Sequence, residues 1–490
     1  MNLHRGADTF LSKTNRDYLC GVLTLIIIAT EIPVLFANGW DTRLDYLSLM
    51  HAISRAMFVV FLVRFINVDS FSLRMYCVFV VCTIVTTPVR GDLTLALSFP
   101  QLYFELFFLC LLSYGYMLET TAREKLFVVL SYIIVLLYLY LSMSMIYVAV
   151  MRTSISLPMH LDIGITEDYV TPFVVHKNII ADQLCMAFTL CLCLISYHSN
   201  KHSKVLFSLV GLIIYVALGI TRSRTSMIAA SVAVALVCIL IVMDKMSSKS
   251  NRHRFIACFA IALVAIPCAY KAYDLSGYAI NRTNSFIEQN CLAKCTSDTT
   301  IEEIDNSTIM KDEGNPTEEE DTLFVEKRSR RRILSLTERV EIWYSGFVLL
   351  INEPERLLFG SIDYMDEINR FLPSIGVTEE KAHMHNAYLE VLMRYGLLSF
   401  TLFAFFIIVL IVRMYKVFFS RESELFVKMM TIPLLTTLIK NIAESRIVGS
   451  QNITNYIFFL VAGMFLAYSY ELFPEKRVGR KTKSVDEASM

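Results

Sequence analysis

Charge is what this chain has least of. Asp, Glu, Lys and Arg make up 18% of its 490 residues, against 55% apolar residues, and the mean hydropathy is +0.53. That scarcity excludes a soluble globular protein, because too little polar surface exists to cover the apolar mass. The apolar runs also lack the alternation of apolar and polar residues that barrel strands need. Net charge is zero, so no excess of either sign points to a nucleic-acid partner. No small-residue cleavage site follows the polar start "MNLHRGADTFLSKTNRDYLC", so a retained first span is expected. Most cysteines, such as Cys77, Cys82, Cys191, Cys193 and Cys258, sit inside apolar runs as packing residues. Cys291 and Cys295 stand apart in a polar stretch. No further ligands near them suggest zinc, and a disulfide is open to them if their loop is extracytoplasmic.

What is present is a series of apolar runs, each long enough to cross a hydrocarbon core as a helix. Hydropathy predicts about twelve spans, near 18–37, 45–66, 72–90, 94–117, 125–150, 177–197, 204–221, 225–243, 254–272, 387–414, 425–442 and 453–473. The expected fold is all-α and polytopic, with nine spans in residues 1–270, a large loop over 271–386, three spans in 387–473 and a basic tail over 474–490. A shorter soluble-looking segment covers Met151 to His176.

Lys and Arg orient these spans. They gather at Arg5, Lys13 and Arg16, at Arg123 and Lys125, at Lys201 and Lys204, between Lys245 and Arg254, between Arg413 and Arg421, and between Lys476 and Lys483. These are the odd-numbered gaps and both ends of the chain. That side is expected to be cytoplasmic, with both termini inside and the large loop outside. Exceptions on the other side are informative. Arg222 and Arg224 crowd between apolar flanks in "GITRSRTSMIAA", and Arg446 follows Glu444 in "KNIAESRIVGS". Charges there are functional candidates. For Arg446, pairing with Glu444 stands equally as a structural reading.

The large loop begins acidic and polar, as a solvated excursion does, and matches no EF-hand spacing. A basic tract, Lys327 to Arg332, follows; Arg328 to Arg332 read as a solvated charge run offset by the acidic stretch before them, with an anionic group at the outer leaflet as the alternative. Leu336, Val340, Trp343, Phe347 and Leu350 then recur at three- and four-residue steps, the pattern of an amphipathic helix at a membrane surface. Arg339 lies within it. An arginine facing outward suits an anionic phosphate or diphosphate.

The loop ends in "EEKAHMHNAYLEVLMRYGLL". Asn386 is placed to cap the next span, with His385 just before it and His383 two residues further back. The partial positive charge of a helix N-terminus works against an imidazolium, and an uncharged ring takes a proton from a hydroxyl. Three other readings stand beside that one. The histidines are ordinary interfacial residues, half of an H-x-H metal site, or part of the helix cap.

"ALGITRSRTSMIAAS", "SLTERVEIWYSGFVLLINEPERLLFG" and "HMHNAYLEVLMRYGLLSF" occur in this order around a large loop, preceded by "VVHKNIIADQLCMA" with His176 and Asn178. Over roughly residues 165–470 the chain resembles the O-antigen ligase family, within a superfamily that includes polysaccharide polymerases and protein O-oligosaccharyltransferases. The resemblance implies a GT-C-like, inverting glycosyltransferase. It would act at the periplasmic face of the bacterial inner membrane in lipopolysaccharide biosynthesis. It implies a glycan donor on undecaprenyl diphosphate and, in a ligase, a sugar hydroxyl of lipid A–core as acceptor. It assigns the key histidine to His385 and the diphosphate to Arg224 and Arg339, with Arg222 as a neighbour; beside it, the residues themselves offer His383, Asn386, Glu444 and Arg446 as supporting groups.

No cofactor is implied, and the absence of a D-x-D pair at a loop start predicts no metal requirement. The match of "TRSRTS" and "HMHNAYLE" points to a ligase, and the insertion from Ile301 to Asp321 departs from compact ligases. The alternatives are a polymerase of lipid-linked repeat units and a transporter of lipid-linked sugars. For transport, charges deep in the spans and internal repeats would be expected.

Overall fold

The computed structural model describes residues 21–22, 24, 70–87, 100–157, 161–166, 169–172, 177–245, 253, 256–272, 339–375, 384–444 and 453–474. Its helices are α1 (Phe71–Val85), α2 (Pro100–Met117), α3 (Thr120–Met151), α4 (Lys177–Tyr197), α5 (Lys201–Ile220) and α6 (Arg224–Lys245). They continue with α7 (Ile256–Ala272), α8 (residues 339–352), α9 (Pro354–Phe359), α10 (Tyr364–Phe371), α11 (Ala387–Phe419), α12 (Leu425–Lys440) and α13 (Ile453–Leu472). Among the described residues, six of them, α3, α4, α5, α6, α11 and α13, are long and apolar enough to cross a membrane. The chain is a multi-pass helical membrane protein. The first two expected spans fall almost wholly outside the described residues.

The segment between α3 and α4 holds the one departure from an all-α fold among the described residues. Strands β1 (Ile155–Leu157), β2 (Leu161–Thr166) and β3 (Tyr169–Pro172) form an antiparallel meander, with Ile155 opposite Ile163 and Ile165 opposite Val170. Ile163 and Val170 are buried, and the sheet packs on α3 and α4. Period-2 alternation over so few residues is too brief to read from the sequence.

Short connections make α4, α5 and α6 successive antiparallel neighbours. The starts of α4, α6 and α11 therefore share one end of the bundle with the ends of α5 and α12; this is the site end. At the opposite end, Arg123 of α3 donates to Glu471 at 2.8 Å and Arg413 of α11 donates to the Phe473 carbonyl at 2.6 Å. Both arginines are buried at the C-terminal end of α13, where a cation meets the negative end of the helix dipole. Arg123 and Arg413, assigned from the sequence to one side of the membrane, thus lie at the end opposite Arg222, Arg224 and His385.

Close packing replaces the hydrophobic effect as the force between helices in lipid. Gly115 of α2 and Gly463 of α13 face each other so closely that a Cβ on either would overlap the other helix's backbone. Gly463→Leu is expected to lower the yield of folded, monodisperse protein several-fold on size-exclusion chromatography. A ring cluster surrounds this seam, with Phe108 stacked on Phe459 at 4.5 Å and Tyr76 tilted against Phe79, Phe406 and Phe459. Pro433 lies inside α12 and has no N–H for the Met429 carbonyl four residues back. The Cys193 thiol of α4 donates to that carbonyl at 3.4 Å.

The expected span 387–414 is two helices end to end. Gly396 sits at φ +75 inside α11, a left-handed backbone that glycine adopts without steric cost. The break leaves the Met393 carbonyl to the Ser361 N–H, 2.9 Å away. Gly360, at φ +76, lies against the Arg394 and Gly396 backbone, where no side chain fits. Leu389, Leu392 and Met393 thereby join a second core with α8 to α10, built on Ile342, Leu350, Tyr364, Ile368, Leu372, Met384 and Met393, while Ala387, Val391 and Tyr395 of the same stretch stay in the main core. Arg394 clamps this unit, donating to Glu390 at 3.0 Å and to the Tyr364 hydroxyl at 3.4 Å. Burial pushes the Tyr364 phenol well above its usual range, so it stays a hydroxyl.

Candidate functional site

The site is built where α11 begins. Asn386 caps the helix, its Oδ1 accepting from the Tyr388 and Leu389 N–H groups at 3.0 Å each. The Ala387 N–H is left over at this terminus and points to the Asn441 and Glu444 carbonyls, 3.0 and 3.2 Å away. The end of α12 is thus tied to the start of α11. His385, just before the cap, has φ +52. This left-handed conformation is uncommon for a residue with a side chain, and it turns the imidazole toward the α12 end. The Trp343 indole of α8 donates to the Met384 carbonyl at 2.8 Å, fixing the same turn from the loop side.

Glu444 is the hub. Its side chain is only 3% exposed. The Asn178 amide of α4 donates to its Oε1 at 2.9 Å. The Arg339 guanidinium approaches the same oxygen at 3.5 Å and donates to the Ala443 carbonyl at 3.1 Å. His385 Nδ1 lies 3.9 Å from Glu444 Oε2, beyond a hydrogen bond and within electrostatic reach. A buried carboxylate needs charge and hydrogen-bond partners, and here the loop, α4 and α11 each supply one. The structure therefore brings together Arg339, His385, Asn386 and Glu444, four of the residues that the sequence singles out. Arg339 carries five N–H donors, more than these partners use, and its side chain is 26% exposed.

Arg222 and Arg224 stand at the same end of the bundle, at the turn between α5 and α6. Arg222 has φ +56, and Thr221 and Ser223 on either side are buried. Arg224 is exposed and Arg222 half-buried. Neither side chain makes a hydrogen bond or ion pair among the described residues. The structure shows no contact between them and Glu444, Arg339 or His385. His383, Arg446, Cys291 and Cys295 lie outside the described residues.

Two groups near the site carry no role in the sequence reading. Asn178 stands in a stretch noted there only for its likeness to a family, yet it donates to Glu444. One helical turn further along α4, Asp182 pairs with Lys440 of α12, each side chain only 2% exposed. Their signal is in the sequence: an Asp in "IIADQLCMA" and a Lys in "TTLIKNIAES" interrupt apolar runs, and such charges mark contacts or sites. Glu105 gives a similar signal on α2. It is fully buried and accepts from the Tyr76 and Tyr395 hydroxyls at 3.0 and 3.2 Å.

Fold and site together define a polytopic membrane protein whose polar residues converge at one end of the helix bundle. The family model described as O-antigen ligase matches residues 187–404, which supports membership of that family. The match implies an enzyme of glycosyl-transfer type in general terms. The matched stretch holds Arg222, Arg224, Arg339, His385 and Asn386, while Asn178 and Glu444 fall outside it. No curated protein matches the chain.

Proposed function

We propose that this protein is an O-antigen ligase. It transfers a glycan from undecaprenyl diphosphate to a sugar hydroxyl of lipid A–core, at the periplasmic face of the inner membrane. The observation that carries this reading is the convergence of His385 and Arg339 on the buried Glu444, at the bundle end where Arg222 and Arg224 also stand. The diphosphate is already a good leaving group. The site's task is to stabilise charge growing on it, and arginine does this with paired N–H donors in a shielded place. Arg339, Arg224 and Arg222 take that role. The acceptor oxygen attacks the anomeric carbon as the bond to the diphosphate breaks, and the hydroxyl proton passes to His385. A single displacement of this kind inverts the anomeric centre and needs no metal. Glu444 holds Arg339 and faces His385, so both keep a fixed relation to each other.

Deleting the gene and separating the glycans on a gel tests the reading. A ligase deletion leaves long glycan chains on the lipid carrier and none on lipid A–core. Lipid A–core bearing single repeat units instead identifies a polymerase.

A further inference from the structure

Helix α8 is apolar on two faces, although its sequence pattern predicts one. Ile342 and Leu350 are buried in the second core. On the other face Val340, Tyr344, Phe347 and Ile351 are 56%, 57%, 46% and 76% exposed. Their steps of four, three and four residues place them in one stripe along the helix. Leu358 of α9, 50% exposed, extends the apolar surface. Its backbone lies against Gly396 at the break in α11, and the next residues, Leu397 and Leu398, are 40% and 50% exposed. From there the exposed residues of α11 are those of a membrane-spanning helix. The apolar surface of the loop thus runs into the lipid-facing surface of the bundle.

We infer that α8 lies in the lipid leaflet at the site end of the bundle, with the Val340–Tyr344–Phe347–Ile351 stripe seated among acyl chains. Three observations favour lipid as the occupant. The stripe is continuous with the spanning surface of α11. Beyond the six residues ILSLTE that directly precede it, the chain over residues 297–332 is dominated by charged and polar residues and is poorly matched to an apolar surface. In the sequence a basic tract, Lys327 to Arg332, precedes the helix by six residues, and such a tract favours anionic headgroups. Such a seat sets the height of Arg339, at the first turn of α8, to that of the headgroups. The site then meets reacting groups that are themselves anchored in the membrane. The reading of α8 does not depend on which glycan acceptor is correct.

The test uses the full chain in nanodiscs of phosphatidylethanolamine and phosphatidylglycerol, with ordinary or chain-brominated lipid. Ile351→Trp and Val340→Trp each add one indole to the two tryptophans of the parent. The added emission is expected to fall about twofold with brominated chains and to resist aqueous iodide. Glu355→Trp on α9 serves as the water-facing control. Iodide quenching of both stripe variants, without an effect of bromine, would overturn the inference in favour of water. Resistance to both quenchers would overturn it in favour of cover by protein. Glycan transfer is not measured, so failure here is separable from failure of the ligase reading.

Discussion

Glycan transfer is expected to vanish in His385→Ala and in Arg339→Ala while both proteins still accumulate in the membrane. His385 also has a backbone role, because its φ of +52 strains an alanine. His385→Asn separates the two contributions, since asparagine tolerates the left-handed region and lacks the imidazole. Removing a proton-accepting group costs roughly 10²- to 10⁴-fold in rate, so His385→Asn should be as inactive as His385→Ala. Arg339→Lys keeps the charge and loses the fork of donors, and partial activity is expected. Transfer from a lipid-linked glycan in purified membranes, with immunoblotting for protein level, reads all four variants. Full activity in either alanine variant would remove that residue from the mechanism. Activity should survive EDTA; a loss restored by a divalent ion would revive the H-x-H metal reading for His383 and His385.

Lys440→Met is expected to destabilise the protein by about 3–5 kcal/mol, because Asp182 is then left charged and buried without its partner. Removing both charges is a different experiment. Asp182→Leu combined with Lys440→Leu leaves no orphan, and packing of similar volume recovers most of the loss. Thermal unfolding followed by size-exclusion chromatography gives the comparison. A single variant as stable as the parent would show that the pair contributes little. The two rungs Asn178–Glu444 and Asp182–Lys440 lie one helical turn apart and join the same two segments. Loosening the lower rung should therefore also lower transfer per folded molecule, through the upper one.

Particular residues show why some of this is legible in sequence. The helices that cross the bundle are read from apolar runs, because a backbone in lipid must satisfy itself and a helix does so residue by residue. Asn386 is equally local: a short polar side chain before an apolar run is the chemistry of a helix cap. Its capping bonds are those expected. The break at Gly396 is not legible in the same way. "RYGLL" reads as continuous helix, and the left-handed Gly396 stands where the Leu358 and Phe359 backbone of the loop comes too close for any side chain. The two apolar faces of α8 also blur its periodicity. By their spacing Val340, Phe347 and Leu350 share one face in sequence, while only Leu350 of the three is buried.

The class of protein, the run of its helices and the residue types suited to diphosphate and proton transfer follow from the sequence by itself, because each depends on composition or on neighbours within a few residues. That Arg339, His385 and Asn178 share one carboxylate was decided by tertiary structure. Glu444 is 105 positions from Arg339 and 266 from Asn178. Only helix packing, with α4 and α12 antiparallel and the loop clamped on the first turns of α11, brings such distant residues within a few ångströms. Pairing across that separation is set by the burial of charge, and no local pattern in the chain records it.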